Sequence, residues 1–452
     1  MSQPHPATHP AGGGVPHLTA HPYQAGYAPP PYAYHPGAYA YPPPLPVFAA
    51  PHDPRRTRLW FSGQGGDFLW LLVRGALLSL VTFGFYRFWL LTDVRRHLWA
   101  NTRIGQESLE YTGTARELLV GFLIALVILA PLYVGAFIVA TFAETFMAFA
   151  GLVLTPLLYV FGQYAAYRAR RYRATRTLFR GVRFSMGGSA WAYAARAALW
   201  DLATLLSLGL AYPWRVAALE RYKMRHTYFG DLAGDFVETG GTLFRRAWWV
   251  WALVVGLPLV IALTSLVGFA RSDGSAASGA VAAAAAGSGV FLIFSLLPFL
   301  YPLFLAIRIR WQVEGVRFGA VSVANNLPMG EVFLAYLKLV GASVGLSIAF
   351  GVIGFLVAAA LFGMEPDAMG RALQDMNLRV GVGLGLVALV YLLYLQGAGV
   401  LKRYFIDRGL WRLVAFTTSL GQLETADHVH GGAAPASSVG EGLADALDVG
   451  AF

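Results

Sequence analysis

Three polar side chains stand where the sequence is otherwise apolar: Arg74 in LLVRGALLSL, and Arg196 and Asp201 in YAARAALWDL. A charge at membrane depth is costly and normally faces protein, water or a lipid phosphate. Aligning the two decapeptides sets Arg74 against Arg196 and Ser79 against Asp201. The expectation is an intramembrane polar site in which Asp201 pairs with Arg196 or, across the repeat, with Arg74. Snorkelling of the two Arg is the competing account, because a long stem reaches the interface where a carboxylate cannot. A second constellation is YRARRYRATRTLFRGVR, in which Arg168, Arg170, Arg171, Arg173, Arg176, Arg180 and Arg183 follow directly on an apolar stretch. Juxtamembrane Arg at that density fits anionic lipid headgroups and the cytoplasmic side. Nucleic acid is not expected as a partner, since no nucleic-acid module surrounds these Arg. No catalytic residue is nominated, because H-E-x-x-H, G-x-S-x-G and Walker patterns are all missing. With no Cys in the chain, a thiolate metal site and a cysteine nucleophile are excluded. Neither a metal nor a cofactor is expected.

The elements that must carry these residues are membrane helices. Of 452 residues, 57% are hydrophobic and 13% charged, and the mean hydropathy is +0.54. Soluble domains carry roughly 25% charged residues. Candidate spans near the roughly 20 residues needed to cross a bilayer are Leu118–Thr141, Ala150–Ala166, Trp248–Phe269, Gly289–Ile307, Tyr336–Phe362 and Val380–Ala398. Residues 1–54 are rich in Pro, Ala, Tyr and His, hold six of the ten His, and include a PPPY run that fits a WW-domain ligand. They are expected to be a disordered tail, as are residues 425–452. The start of the chain shows no basic and apolar pair of regions of the kind a cleaved signal peptide has.

One sentence of sequence is written twice. TFGFYRFWLLTDVRRHLWANTRIGQESLEYTG begins at Thr82 and SLGLAYPWRVAALERYKMRHTYFGDLAGDFVETG at Ser207, with Gly84 and Gly209, Trp89 and Trp214, Thr102 and Thr227, and Gly105 and Gly230 in the same order. A fainter echo links RGVRF at Arg180 with EGVRF at Glu314. The expected organisation is a first membrane repeat over 55–166, a second over 167–310 and a partial third over 311–424. If the apolar stretches at 67–83 and 191–212 crossed the membrane once each, strongly basic segments would face outward against the positive-inside rule. Re-entrant or interfacial units remove the conflict and leave both termini in the cytoplasm; full crossing with the rule violated is the other reading.

The motifs FSGQGGDF, TFGFYRFW, RRHLWANTRIGQ and LEYTG, and in the second half SLGLAYPWRVAALERYKMRHTYFGD, resemble the signature of the YjgN-type family of bacterial inner-membrane proteins, which carry a domain of unknown function. The resemblance runs from about Leu59 to Arg412, with Phe88 standing where the family usually has Pro, and His226 where it has Asn. It implies an integral, multi-pass inner-membrane protein and no activity.

The reading is therefore an all-α polytopic membrane protein with two internal repeats, a partial third and disordered tails. Its expected role is that of a non-enzymatic scaffold or accessory protein that engages anionic membrane lipid and an unidentified membrane-protein partner. The alternative is a small-molecule or lipid transporter built from repeated helical units.

Overall fold

The computed structural model describes residues 55–142, 144–271, 275–362 and 378–431. The chain divides into a unit of Met1–Pro44, outside the described residues, and one of Leu45–Phe452, to which everything below belongs. The His- and Pro-rich tail with its PPPY run thus lies outside the described residues, as does the end of the chain from residue 432.

The all-α expectation is wrong. Eleven short strands form one antiparallel sheet: β1 (Arg56–Phe61), β2 (Thr102–Ile104), β3 (Glu107–Ser108), β4 (Glu110–Tyr111), β5 (Thr177–Phe179), β6 (Val182–Met186), β7 (Thr227–Phe229), β8 (Leu232–Phe236), β9 (Val316–Phe318), β10 (Val321–Asn325) and β11 (Thr418–Gly421). Their order is β3-β2-β1-β11-β10-β9-β8-β7-β6-β5-β4. The two edge strands, β3 and β4, are separated in the chain by Leu109 alone, so the sheet curls round on itself into a nearly closed barrel. The strands escape a sequence reading because six of the eleven have only two or three residues. Alternation needs a run of about four to eight to register, and these lie inside basic segments between long apolar runs. The β5–β6 turn has φ of +52° at Arg180 and +73° at Gly181, the left-handed pair of a tight hairpin whose twist matches its strands. Arg180 holds that conformation while pairing with Glu107 and Asp427.

All the α-helices leave from one rim. The cross-strand pairs Phe61 with Thr102, Tyr111 with Thr177, Met186 with Thr227, Phe236 with Val316 and Asn325 with Thr418 bracket five excursions, each beginning and ending on neighbouring strands. Two are short: α1 (Gly65–Val81) with α2 (Arg87–Ala100), and α5 (Ala190–Leu206) with α6 (Tyr212–Arg225). Three are long. They are α3 (Ala115–Phe142) with α4 (Glu144–Thr175); α7 (Gly240–Trp251) continuing through a π turn into α8 (Leu257–Ala270) with α9 (Ala276–Glu314); and α10 (Met329–Phe362) with α11 (Leu378–Lys402), which runs through a second π turn, Arg403–Arg408, into α12 (Gly409–Thr417). Among the described residues four helices are long and apolar enough to cross a membrane: Gly240–Ala270, Gly287–Glu314, Met329–Leu361 and Gly381–Thr417. The expected spans Leu118–Thr141 and Ala150–Ala166 fall within α3 and α4.

A common device ends the helices at the barrel. Thr102, Thr177, Thr227 and Thr418 each open a strand and donate their hydroxyl to the carbonyl four residues back, at 2.7, 2.9, 2.8 and 2.6 Å. Each bond satisfies a carbonyl that the helix end would leave unpaired.

The duplicated TFGF and SLGL turn out to be one turn used twice. Thr82 and Ser207 cap the shorter hairpins' first helices, and their hydroxyls accept from Tyr86 N (3.0 Å) and Ala211 N (2.9 Å). Phe83 and Leu208 then take φ of +51° and +50°, and Gly84 and Gly209 take +89° and +84°. Two successive left-handed residues reverse the chain, and Gly takes the second without steric cost. The turns also correct the alignment of the polar residues. Both helices have 17 residues, but Arg74 stands 8 residues before Thr82 (82 − 74) and Arg196 stands 11 before Ser207 (207 − 196). Measured from the turn, the counterpart of Arg74 is Leu199, and the match of Arg74 to Arg196 slips by one helical turn.

The barrel's opposite rim carries the hairpin turns and both ends of the described chain. Residues 422–431 lie across it, with Leu423, Ala426 and Val429 packed against Phe179, Phe229 and Val321. The expected disordered tail at 425–452 is, for its first residues, part of the fold.

Candidate anion-binding chamber

Between the barrel and the bases of the helices lies a cavity of about 750 Å³. Thr177, Thr227, Val316, Phe184 and Phe318 form its floor, and helices α2, α4, α5, α6, α11 and α12, with the π turn between the last two, form its wall, which puts it on the barrel's axis. Its cationic lining is Arg95, Arg170, Arg173, Lys223, Lys402 and Arg403, against one lining carboxylate, Asp407. These groups converge because each helix returns to the barrel at its basic end, so the last turns of several helices meet round one axis. The rings of Trp99 and Trp411 meet there at 4.6 Å, tilted by 30°. Trp99 Nε1 donates to Thr177 Oγ1 (3.0 Å) and Trp411 Nε1 to Thr102 Oγ1 (2.7 Å), which ties neighbouring hairpins to the helix bases.

Glu220 organises one side of this wall. It is buried, pairs with Arg170 (Nη1 to Oε2, 3.3 Å), and receives Lys223 Nζ on its other oxygen. Burial alone would raise its carboxyl, but Lys223 and Arg170 outweigh that and hold it at about 2. Burial pulls the Lys223 ammonium down to about 8, with Glu220 opposing the shift and Arg170 adding to it. Arg95 is buried as well, and donates to Tyr111 Oη at 3.2 Å.

The seven Arg of the α4 cluster do not form one surface. Arg170 and Arg173 line the chamber, while Arg168 and Arg171 are half-buried on α4. Arg176 grips Glu117 with two bonds (2.7 and 3.2 Å) and lies over the Tyr172 ring, whose phenol burial pushes far up. Arg180 is on the β5–β6 turn, and Arg183 donates back to the Thr175 carbonyl at 2.5 Å. The intramembrane trio is not brought together either. Asp201 pairs with Arg215 (Nε to Oδ1, 2.5 Å) and accepts from Tyr159. Arg196 instead stacks its guanidinium 4.4 Å from the Tyr222 ring, and Arg74 stands near Asp93, whose carboxyl burial raises against the pull of Arg96 and Arg74. Lys223, Glu220, Arg95, Lys402 and Arg403 were not singled out from the sequence. Their signal was the recurrence of a basic helix end just before a strand-opening Thr. Among the described residues no group of three or more His, Asp or Glu is placed to hold a metal.

Comparison with known proteins follows the membrane half of this picture. Inner membrane protein YjgN of Escherichia coli (strain K12) is 30% identical over 129 residues, 28% of this chain and 31% of that protein. Its counterpart in Escherichia coli O157:H7 matches to the same extent. The chain thus spans about a third of the length of the curated relatives it matches. No solved structure matches. A family model described as bacterial protein of unknown function (DUF898) matches residues 56–313, more than half of the chain, and the protein belongs to that family.

Proposed function

We propose that the protein is a multi-pass, non-enzymatic inner-membrane protein that binds a phosphate-bearing anion in the axial chamber. The observation that carries this reading is the convergence of six basic side chains on one cavity of about 750 Å³, within the range that suits a small molecule or a lipid headgroup. Charge-assisted bonds from Arg and Lys are the strongest that a phosphate can receive. Since every helical excursion leaves from one rim, crossing hairpins put the barrel and both ends of the described chain on one side. The basic helix bases favour the cytoplasm. Binding is favoured over conduction by the segment 422–431, whose apolar residues fill the far rim.

Titration calorimetry of the detergent-purified protein with ATP and with inorganic pyrophosphate tests the reading. The Arg170→Gln/Arg173→Gln double variant is expected to bind at least tenfold more weakly, a loss of about 1.4 kcal/mol or more. Equal affinities for variant and parent would refute the chamber as the site, and flux of the anion through vesicles would favour a transporter instead. A pH dependence follows from Lys223. Its ammonium is charged below about 8 and neutral above, so affinity is expected to fall as pH rises from 7 to 9. Lys223→Arg, which keeps its charge throughout, should flatten that fall; a fall of the same size in the variant would assign it to another group.

A further inference from the structure

On the other side of α6 from the chamber, a second cavity of about 750 Å³ opens to the surface between α5 and α6. Its lining includes Arg196, Trp200, Arg221, Tyr222, Arg225 and His226. We propose that this cleft holds the phosphate of a membrane phospholipid, and that the α5–α6 hairpin is a wedge seated in the headgroup and upper acyl layer of the cytoplasmic leaflet.

The depth of the hairpin carries the choice of ligand. Its tip is bare apolar surface, with Leu205 73% and Leu206 77% exposed. The tip is fixed in height, because Trp251 Nε1 donates to the Leu208 carbonyl at 3.0 Å. Beyond Trp251 the same spanning helix continues from Ala252 to Ala270, about 28 Å at 1.5 Å per residue, nearly one hydrocarbon thickness. The tip therefore stops at the near boundary of the bilayer core and does not cross. Arg196 lies about 16 Å back from the turn at Ser207 by the same rise. With the tip sunk 5–10 Å, as interfacial helices are, the Arg196 guanidinium is at headgroup level and Trp200 lies one turn deeper, where an indole prefers to be.

The cleft is also built for a phosphate. The Arg196 guanidinium sits over the Tyr222 ring, 4.4 Å from its centre, and the Tyr222 hydroxyl is itself anchored by donating to the Ser189 carbonyl at 2.9 Å. Arg221 donates to the carbonyls of Phe236 (3.4 Å) and Glu238 (3.1 Å), two bonds from a group with five N–H donors. Arg225 is paired with Asp235 at 3.3 Å, so Arg196 and Arg221 are the two cations that would meet the ligand first. A headgroup there would have its acyl chains running along Leu199, Leu202 and Leu206, all exposed.

Native mass spectrometry of the detergent-purified full chain, titrated with phosphatidylglycerol or phosphatidylcholine, tests the site, with Arg196→Gln and Arg196→Lys as variants. Arg196→Gln is expected to cut phosphatidylglycerol binding about tenfold and Arg196→Lys much less. Pyrophosphate binding in the chamber should be unchanged in both, which keeps this result separate from the chamber reading. Unaltered phosphatidylglycerol binding in Arg196→Gln overturns the proposal, and displacement by millimolar glycerol phosphate overturns the lipid in favour of a soluble phosphate. Depth is read independently. Because the chain lacks Cys, a single spin label at Leu206→Cys reports its own position in anionic nanodiscs. An oxygen-accessible, nickel-shielded label supports the wedge, and a label in bulk water overturns it.

Discussion

Glu220→Ala is expected to lower the melting temperature in detergent more than the double change Glu220→Ala/Lys223→Met does. The single variant leaves the Lys223 ammonium buried with Arg170 beside it and no counter-charge. Breaking a buried ion pair from one side costs about 3–5 kcal/mol, whereas replacing both partners with apolar groups often costs little. The same linkage gives a pH signature. With its folded carboxyl held at about 2 against an ordinary 4.5, Glu220 contributes stability that is complete above about pH 4.5 and is lost as pH falls toward 2. A single variant no less stable than the double one would mean that Glu220 does not organise the cations of the chamber wall.

Trp311→Ala should have an effect of similar size by a different route. Trp311 is fully buried, packs edge-on against Phe236 at 4.9 Å, and its indole donates to the Thr239 carbonyl (3.1 Å) and to Thr242 Oγ1 (3.0 Å). It thereby joins the base of α9 to the start of α7 and to β8. Truncating a buried Trp costs about 3–5 kcal/mol. Trp311→Phe keeps most of the packing and loses only the two bonds, so its loss should be about half as large. Equal losses for the two variants, measured by thermal unfolding, would assign the whole effect to the hydrogen bonds.

Sequence patterning carried the long helices, because an unbroken apolar run near bilayer length can bury its surface in few places besides a bilayer. It also carried the reversal at TFGF and SLGL, where the repeated Gly84 and Gly209 have a backbone reason. The barrel stayed hidden. Its strands are two to six residues long, and six of their ten pairings join segments held apart in the chain by a helical excursion or by nearly the whole fold, so the recurring Thr and Gly read as marks of duplication rather than of strands. The polar residues fared worst for a related reason. Asp201, on α5, meets Arg215 across its own hairpin on α6 and Tyr159 on α4 of the preceding excursion, and only helix packing makes them neighbours. Lys223 and Glu220 sit in a helix so polar that burial of either would not be suspected from its neighbours in the chain.

The closure of the barrel has a consequence for biosynthesis. Strand β1 is made long before its partner on one side, β11, with which it pairs from Arg56 with Gly421 to Arg58 with Ser419. At roughly 5–20 residues per second, β1 waits on the order of 20–70 s for the strand that covers it, while the hairpins between them insert. A bare strand edge during that interval is an invitation to pair with another chain. Arg55, Arg56 and Arg58 put positive charge along that edge, and when β11 arrives, Arg56 donates to the Ser419 hydroxyl and carbonyl, each at 3.0 Å. Arg56, one of the charges that blunt the waiting edge, is then the residue that latches it to the last strand.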